Sequence, residues 1–221
     1  MKMKRELKNY ERWVLDSRDD NDLVRAQALL EGALVHNASN SELRVFYAYV
    51  LTLRHLDQEA LDEALLLYDR WDYSALGFMV LAWTFWELGK AQKAREIFER
   101  AISCHPDEDD LYIEFAEFAL CELEPIEALG IAEVLIRRVP DDPESFLMYG
   151  QALFLMNRYD DAELAYRDAL KLDPQHVEAR FFLLERLIDK GDMSQAIGLA
   201  RLMLDDQRTA ERALRYLKES L

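Results

Sequence analysis

The chain has 221 residues and a formal charge of −16, and 51% of its residues are hydrophobic. It holds only 7 Gly and 5 Pro, against 25 Ala and 37 Leu, both strong helix formers. This excludes a β-sandwich or barrel, which needs far more turn chemistry. It also excludes a disordered chain. The 43 acids against 27 bases are spread evenly over both halves, so nucleic acid or anionic lipid is not the expected main partner.

Residues 1–6 read as a short N-terminal extension. The stretch Met1 to Lys8 is basic with no apolar run after it, so neither a signal peptide nor a lipid anchor is expected. From residue 7 the chain repeats every 34 residues. Ala26, Ala60, Ala94, Ala128, Ala162 and Ala196 share one phase, and so do Pro106, Pro140 and Pro174. Unit 7–40 carries Tyr10, Trp13, Ala26, Leu30 and Ala33. Unit 41–74 carries Tyr47, Ala48, Leu51 and Ala60 but has Arg44, Ala64 and Leu67 where other types recur, so its helix pairing stays open. Unit 75–108 places Phe78, Leu81, Ala82 and Phe85 on one helix, Gly89 in a turn, Ala94, Phe98 and Ala101 on a second helix, then Pro106. Its run from Ala75 to Trp86 is about a dozen apolar residues, short of the roughly 20 a membrane helix needs.

Unit 109–142 keeps Tyr112, Phe115, Ala116, Ala128 and Pro140, with Ala119, Ala132 and Leu135 breaking the pattern. In unit 143–176, Asp142 is placed to cap a helix that Pro143 begins. Phe146, Tyr149, Gly150 and Leu153 mark one face of that helix, and Ala162, Tyr166 and Ala169 one face of the next. Gly150, Ala162 and Ala169 are small where two helices must approach closely. Unit 177–210 keeps Leu183, Leu187, Gly191 and Ala196 but carries Arg180 at an apolar position. Leu214, Leu217 and Leu221 in segment 211–221 continue the phase as a capping helix.

Units 75–108 and 143–176 match all eight signature positions of the tetratricopeptide repeat, a 34-residue helix–turn–helix, and the chain resembles that family throughout 7–210. The resemblance implies an all-α fold: a right-handed α-solenoid of about six helix–turn–helix repeats closed by the C-terminal helix, read as one solenoid domain.

Residues that could carry chemistry do not assemble into a motif. His36, His55, His105 and His176 are far apart, and no His pair lies four residues apart. Cys104-His105 and Cys121 lack metal-ligand spacing and read as ordinary thiols in a reducing compartment, the cytoplasm, with Cys121 the more open to surface reactivity. Phosphate-binding Gly loops and nucleophile elbows are absent from the sequence. The acidic pairs fall at helix starts and turns, where carboxylates favour the helix dipole. Neither catalysis, a metal nor a cofactor is expected.

In the family, the first helices of successive repeats line the concave face that holds partners. Carried onto this chain, that stripe holds Val45, Tyr49, Met79, Trp83, Trp86, Ile113, Glu117, Leu120, Leu147, Gln151, Phe154 and Phe181. It is apolar and aromatic at its centre and acidic at its edges, without Lys or Arg from residue 41 onward. A clamp for a peptide carboxylate is therefore not expected. The expected partner is a protein or peptide segment, apolar or amphipathic with basic flanks. The expected role is an adaptor or chaperone-like scaffold, and the resemblance extends to bacterial secretion and pilus-assembly helpers. The alternative is a structural scaffold that self-associates, as a homodimer, through the aromatic face.

Overall fold

The computed structural model describes residues 20–70, 72–204 and 210. Residues 1–6, the first helix expected in unit 7–40 and the capping segment 211–221 lie outside the described residues. Among those described there are eleven helices and no strand. They are α1 (Asp20–His36), α2 (Ser41–Leu53), α3 (Asp57–Leu67), α4 (Ala75–Glu87), α5 (Ala91–Cys104), α6 (Asp109–Cys121), α7 (Pro125–Arg138), α8 (Pro143–Leu155), α9 (Tyr159–Leu172), α10 (Val177–Asp189) and α11 (Met193–Leu204).

From α2 onward, every first helix begins at the first position of its 34-residue frame, and every second helix at the seventeenth. Local chemistry sets those starts. Asn40, Ser74 and Asp142 accept a backbone N–H of the following helix through a side-chain oxygen, and His176 does so through Nδ1. Pro125 and Pro143 occupy first-turn positions where their missing N–H costs nothing. Helices α5, α7 and α9 each stop two residues before Pro106, Pro140 and Pro174.

The turn inside each pair repeats as closely. The fifteenth residue of all five frames has a left-handed backbone: His55, Gly89, Leu123, Asn157 and Gly191. In each, its N–H and that of the next residue bond back to the end of the first helix, as in Glu124 N–H to the Ala119 carbonyl at 2.8 Å. Leu123 adopts this conformation (φ +57°) with its side chain 69% exposed. Leu123→Gly is thus expected to relieve backbone strain without losing buried area, gaining up to about 1 kcal/mol. A lower melting temperature for the variant would contradict this.

The chain divides into two compact units at Leu111/Tyr112. In the first, all the signature residues of α4 and α5 are fully buried: Phe78, Leu81, Ala82, Phe85, Ala94, Phe98 and Ala101. Tyr73 and His105 add rings edge-on to Phe78 at 5.2 and 5.8 Å. The pairing left open in 41–74 is direct, α2 packing on α3. The unexpected Arg44 serves it by pairing with Glu63 of α3 at 2.7 Å, while its Nε donates to the Ala38 carbonyl. Arg180 repeats the second contact with the Pro174 carbonyl at 2.8 Å. Both departures from the apolar pattern thus tie a first helix to the chain six residues before it.

The second unit has a core of Leu153, Ala162, Tyr166, Ala169, Leu184, Leu187 and Ala196, all buried. Glu163 closes the seam beside it, receiving Arg167 at 2.9 Å and Lys190 at 3.0 Å. Burial alone would raise the Glu163 carboxyl, but the hydrogen bonds from Lys190 and Arg167 outweigh it and hold the group below the usual Glu range. A lowered folded value stabilises the protein above the ordinary Glu pKa of about 4.3, and that gain is lost as pH falls through the lowered value. Glu163→Gln is expected to cost on the order of 1 kcal/mol at neutral pH, shrinking in acid. A deficit that stays constant in thermal melts down to about pH 3 would exclude this contribution.

Candidate interaction face

In the first unit the first-helix stripe centres on aromatic side chains. Tyr49 of α2 and Trp83 of α4 lie with ring centroids 6.1 Å apart, tilted by 44°, and Trp86 is one turn further along α4. All three are half-buried, leaving indole and phenol surface open. They sit on this side because Phe78, Leu81, Ala82 and Phe85 turn the other side of α4 into the core. Exposed acids are present at Glu87, next to Trp86 on α4, and at Asp110 at the start of α6.

In the second unit the stripe is more mixed. Glu117 and Phe154 are exposed, while Ile113, Leu120 and Gln151 are half-buried. Ile113 and Leu120 pack on the cluster of Ala116, Ala132, Leu135 and Met148. Phe154 stacks edge-on with Tyr159 at 5.3 Å. Exposed acids are present at Glu178 and Asp189, the latter 3.4 Å from Arg186.

Four residues that the sequence places on the stripe offer no surface. Val45, Met79, Leu147 and Phe181 are buried. All are the fifth position of their frames, and Leu147 and Phe181 belong to the core cluster of the second unit. The open part of the stripe therefore runs over later positions of each first helix.

Two acids at the edge of the stripe have structural duties. Glu42 accepts the Ser74 N–H at 2.6 Å, at the N-cap of α4. Glu144 holds Nε2 of His176, the N-cap of α10, at 3.1 Å. Because His176 Nδ1 accepts the Ala179 N–H, the ring proton sits on Nε2 and is donated to Glu144. Burial pushes the Glu144 carboxyl up, and the adjacent imidazole pulls it the other way. Glu144 is thus engaged by His176, and Glu42 by the Ser74 N–H through one of its two oxygens. No sequence signal marks this role, because each bond reaches 32 residues ahead.

Cys104 and Cys121 are free thiols with exposed side chains. Partial desolvation of its sulfur, followed by the charges of Glu117 and Glu122, pushes the Cys121 thiol up, away from the reactive thiolate. His105 is engaged by the Tyr73 carbonyl at 2.9 Å. Among the described residues no group of three or more His, Cys, Asp or Glu side chains is placed to hold a metal ion, and no helix is long and apolar enough to cross a membrane.

Two family models, both described as tetratricopeptide repeat, match the chain, one over residues 147–213 and one over residues 77–107. No curated protein matches it in sequence. Solved structures do match in fold. PilF of Pseudomonas aeruginosa is 14% identical, with 99% of this chain and 100% of that one covered and a TM-score of 0.68. YrrB, a tetratricopeptide-repeat protein with an unusual peptide-binding site, is 20% identical over 86% of this chain and 97% of its own, with a TM-score of 0.58. MamA of Desulfovibrio magneticus RS-1 is 17% identical over 77% and 96%, with a TM-score of 0.59. At these identities the likeness is one of fold.

Proposed function

Because the chain is a tetratricopeptide-repeat protein of the all-α solenoid class, we propose that it is a non-catalytic interaction scaffold that holds a client segment against its first-helix face. The observation that carries this reading is the half-open aromatic patch of Tyr49, Trp83 and Trp86. Aromatic side chains with one face packed and one face open are the side chains that anchor protein interfaces. The acids around them, with the net charge of −16, favour an apolar or amphipathic client with basic flanks and repel an acidic one. The two free cysteines fit a reducing compartment, the cytoplasm. Likeness in fold to PilF supports reading the role as that of an adaptor or chaperone-like helper in bacterial secretion or pilus assembly.

The test is a titration of the full chain with two fluorescein-labelled peptides that share an apolar centre, one with lysine flanks and one with glutamate flanks. The lysine-flanked peptide is expected to bind, more weakly as salt rises, and the glutamate-flanked peptide to be rejected. Equal binding of both, or of neither, overturns the proposal. A homodimer in sedimentation equilibrium that Trp83→Ala dissociates would instead support self-association through the same face.

A further inference from the structure

The second helices of the second unit leave a groove that is independent of the first-helix face. It opens between α7 and α9, with a volume of about 430 Å³. Its floor is Phe146 and Tyr149 of α8, and Ile136 of α7 and Leu164 of α9 form its apolar walls. Leu164 is 60% exposed although it faces an apolar recess. The neighbouring seam, between α9 and the α10–α11 pair, is closed by polar bridges: Arg167 donates to Gln195 of α11 at 2.8 Å, and Lys190, just after α10, to Glu163. In the repeat pattern Phe146 and Tyr149 are packing residues, yet both remain half-buried.

We propose that this groove is a docking site for a helix of a partner protein, one that inserts two large apolar side chains a turn apart and carries a basic and an acidic residue beside them. The volume is nearly three times that of a cavity of about 150 Å³ that takes one benzene, so it has room for two such side chains. The occupant is helical because the groove walls are themselves helices. They offer no open strand edge to pair with an extended segment, whereas a helix satisfies its own backbone groups.

The charges on the lip are specific. Arg158 is taken up by Asp161 at 2.8 Å, and Asp168 by Lys171. Glu133 and Arg137, exposed and one turn apart on α7, carry no such pairing among the described residues. A helix lying along α7 meets one acid and one base, and it is best matched by one residue of each opposite sign. A second copy is a poor occupant, since it brings another charge of −16, and two concave grooves cannot fill each other.

The probe is a fluorescein-labelled 16-residue helical peptide with two leucines four residues apart and a lysine and a glutamate on their flank, followed by anisotropy with the full chain. Saturable binding is expected. Leu164→Glu, a change at an exposed site, should weaken it at least tenfold. Glu133→Arg should weaken it similarly, and replacing the peptide lysine by glutamate should restore binding to that variant. Trp83→Ala with Trp86→Ala should leave this affinity unchanged, which separates this groove from the face assigned above. Absent binding, or binding indifferent to Leu164→Glu, overturns the proposal. So does a dimer in sedimentation equilibrium that Leu164→Glu splits, which would give the groove to a second copy. Broadening of the Leu164 methyl signals by a spin label at position 221 would give it to the chain's own end and would overturn the proposal as well.

Discussion

Gly150→Ala is expected to lower the stability of the protein by about 1–3 kcal/mol, although alanine is the better helix former by about 1 kcal/mol. The reason is a single ring. A Cβ on Gly150 would lie 2.7 Å from Cδ1 of Tyr166 and nearer still to Cε1. Tyr166 is fully buried and stacks on Phe182 at 5.5 Å, so the ring cannot swing aside. The close approach of α8 and α9 thus depends on the missing side chain. Gly130, where an added Cβ meets nothing within 4 Å, serves as the control, and Gly130→Ala should be neutral or stabilising. Tyr166→Leu is destabilising alone, but it should recover part of the loss in the double variant, with a coupling of roughly 1 kcal/mol or more in a thermodynamic cycle. Additive effects would show that the two residues do not clash.

The second large effect concerns the client face. Trp83→Ala with Trp86→Ala is expected to weaken binding of the lysine-flanked peptide by roughly thirtyfold or more, since one buried aromatic anchor is worth about 2 kcal/mol or more. Both indoles are half-buried, so part of the loss falls on stability, on the order of 1–2 kcal/mol. Leu65→Ala, at a 44% exposed position of α3, provides a comparison, because it removes apolar surface away from the stripe. If the tryptophan pair and Leu65→Ala weaken the peptide equally, the aromatic patch is not the anchor. Measuring both affinities below the melting transition keeps folding and binding separate.

The frame of this fold was legible because one residue type recurs in one phase. Ala26, Ala60, Ala94, Ala128, Ala162 and Ala196 are all buried, and each marks a place where two helices touch. Exceptions were harder to read. Arg44 and Arg180 look like defects in an apolar pattern, but their guanidinium groups find carbonyls that only the folded turn brings near. A left-handed residue announces itself in sequence as Gly89 or Gly191, whereas His55 and Leu123 take the same conformation without any such sign. The face of each first helix was readable to within one position. Periodicity puts Leu147 and Phe181 just beyond the packing stripe, but how closely neighbouring helices approach decides whether that position is covered, and here both are buried. The α7–α9 groove follows from what fails to fill a seam, which no single segment of sequence encodes.

Glu42 reaches Ser74, and Glu144 reaches His176, each across 32 residues. The ties between helices span about one repeat and need no meeting of distant ends. Loop-closure entropy stays small at every step, so low contact order and rapid, sequential folding follow. A growing chain gains the partner for each new helix pair within about one further repeat of synthesis. A stalled or truncated chain would expose only the last pair it made, and not a whole unformed core.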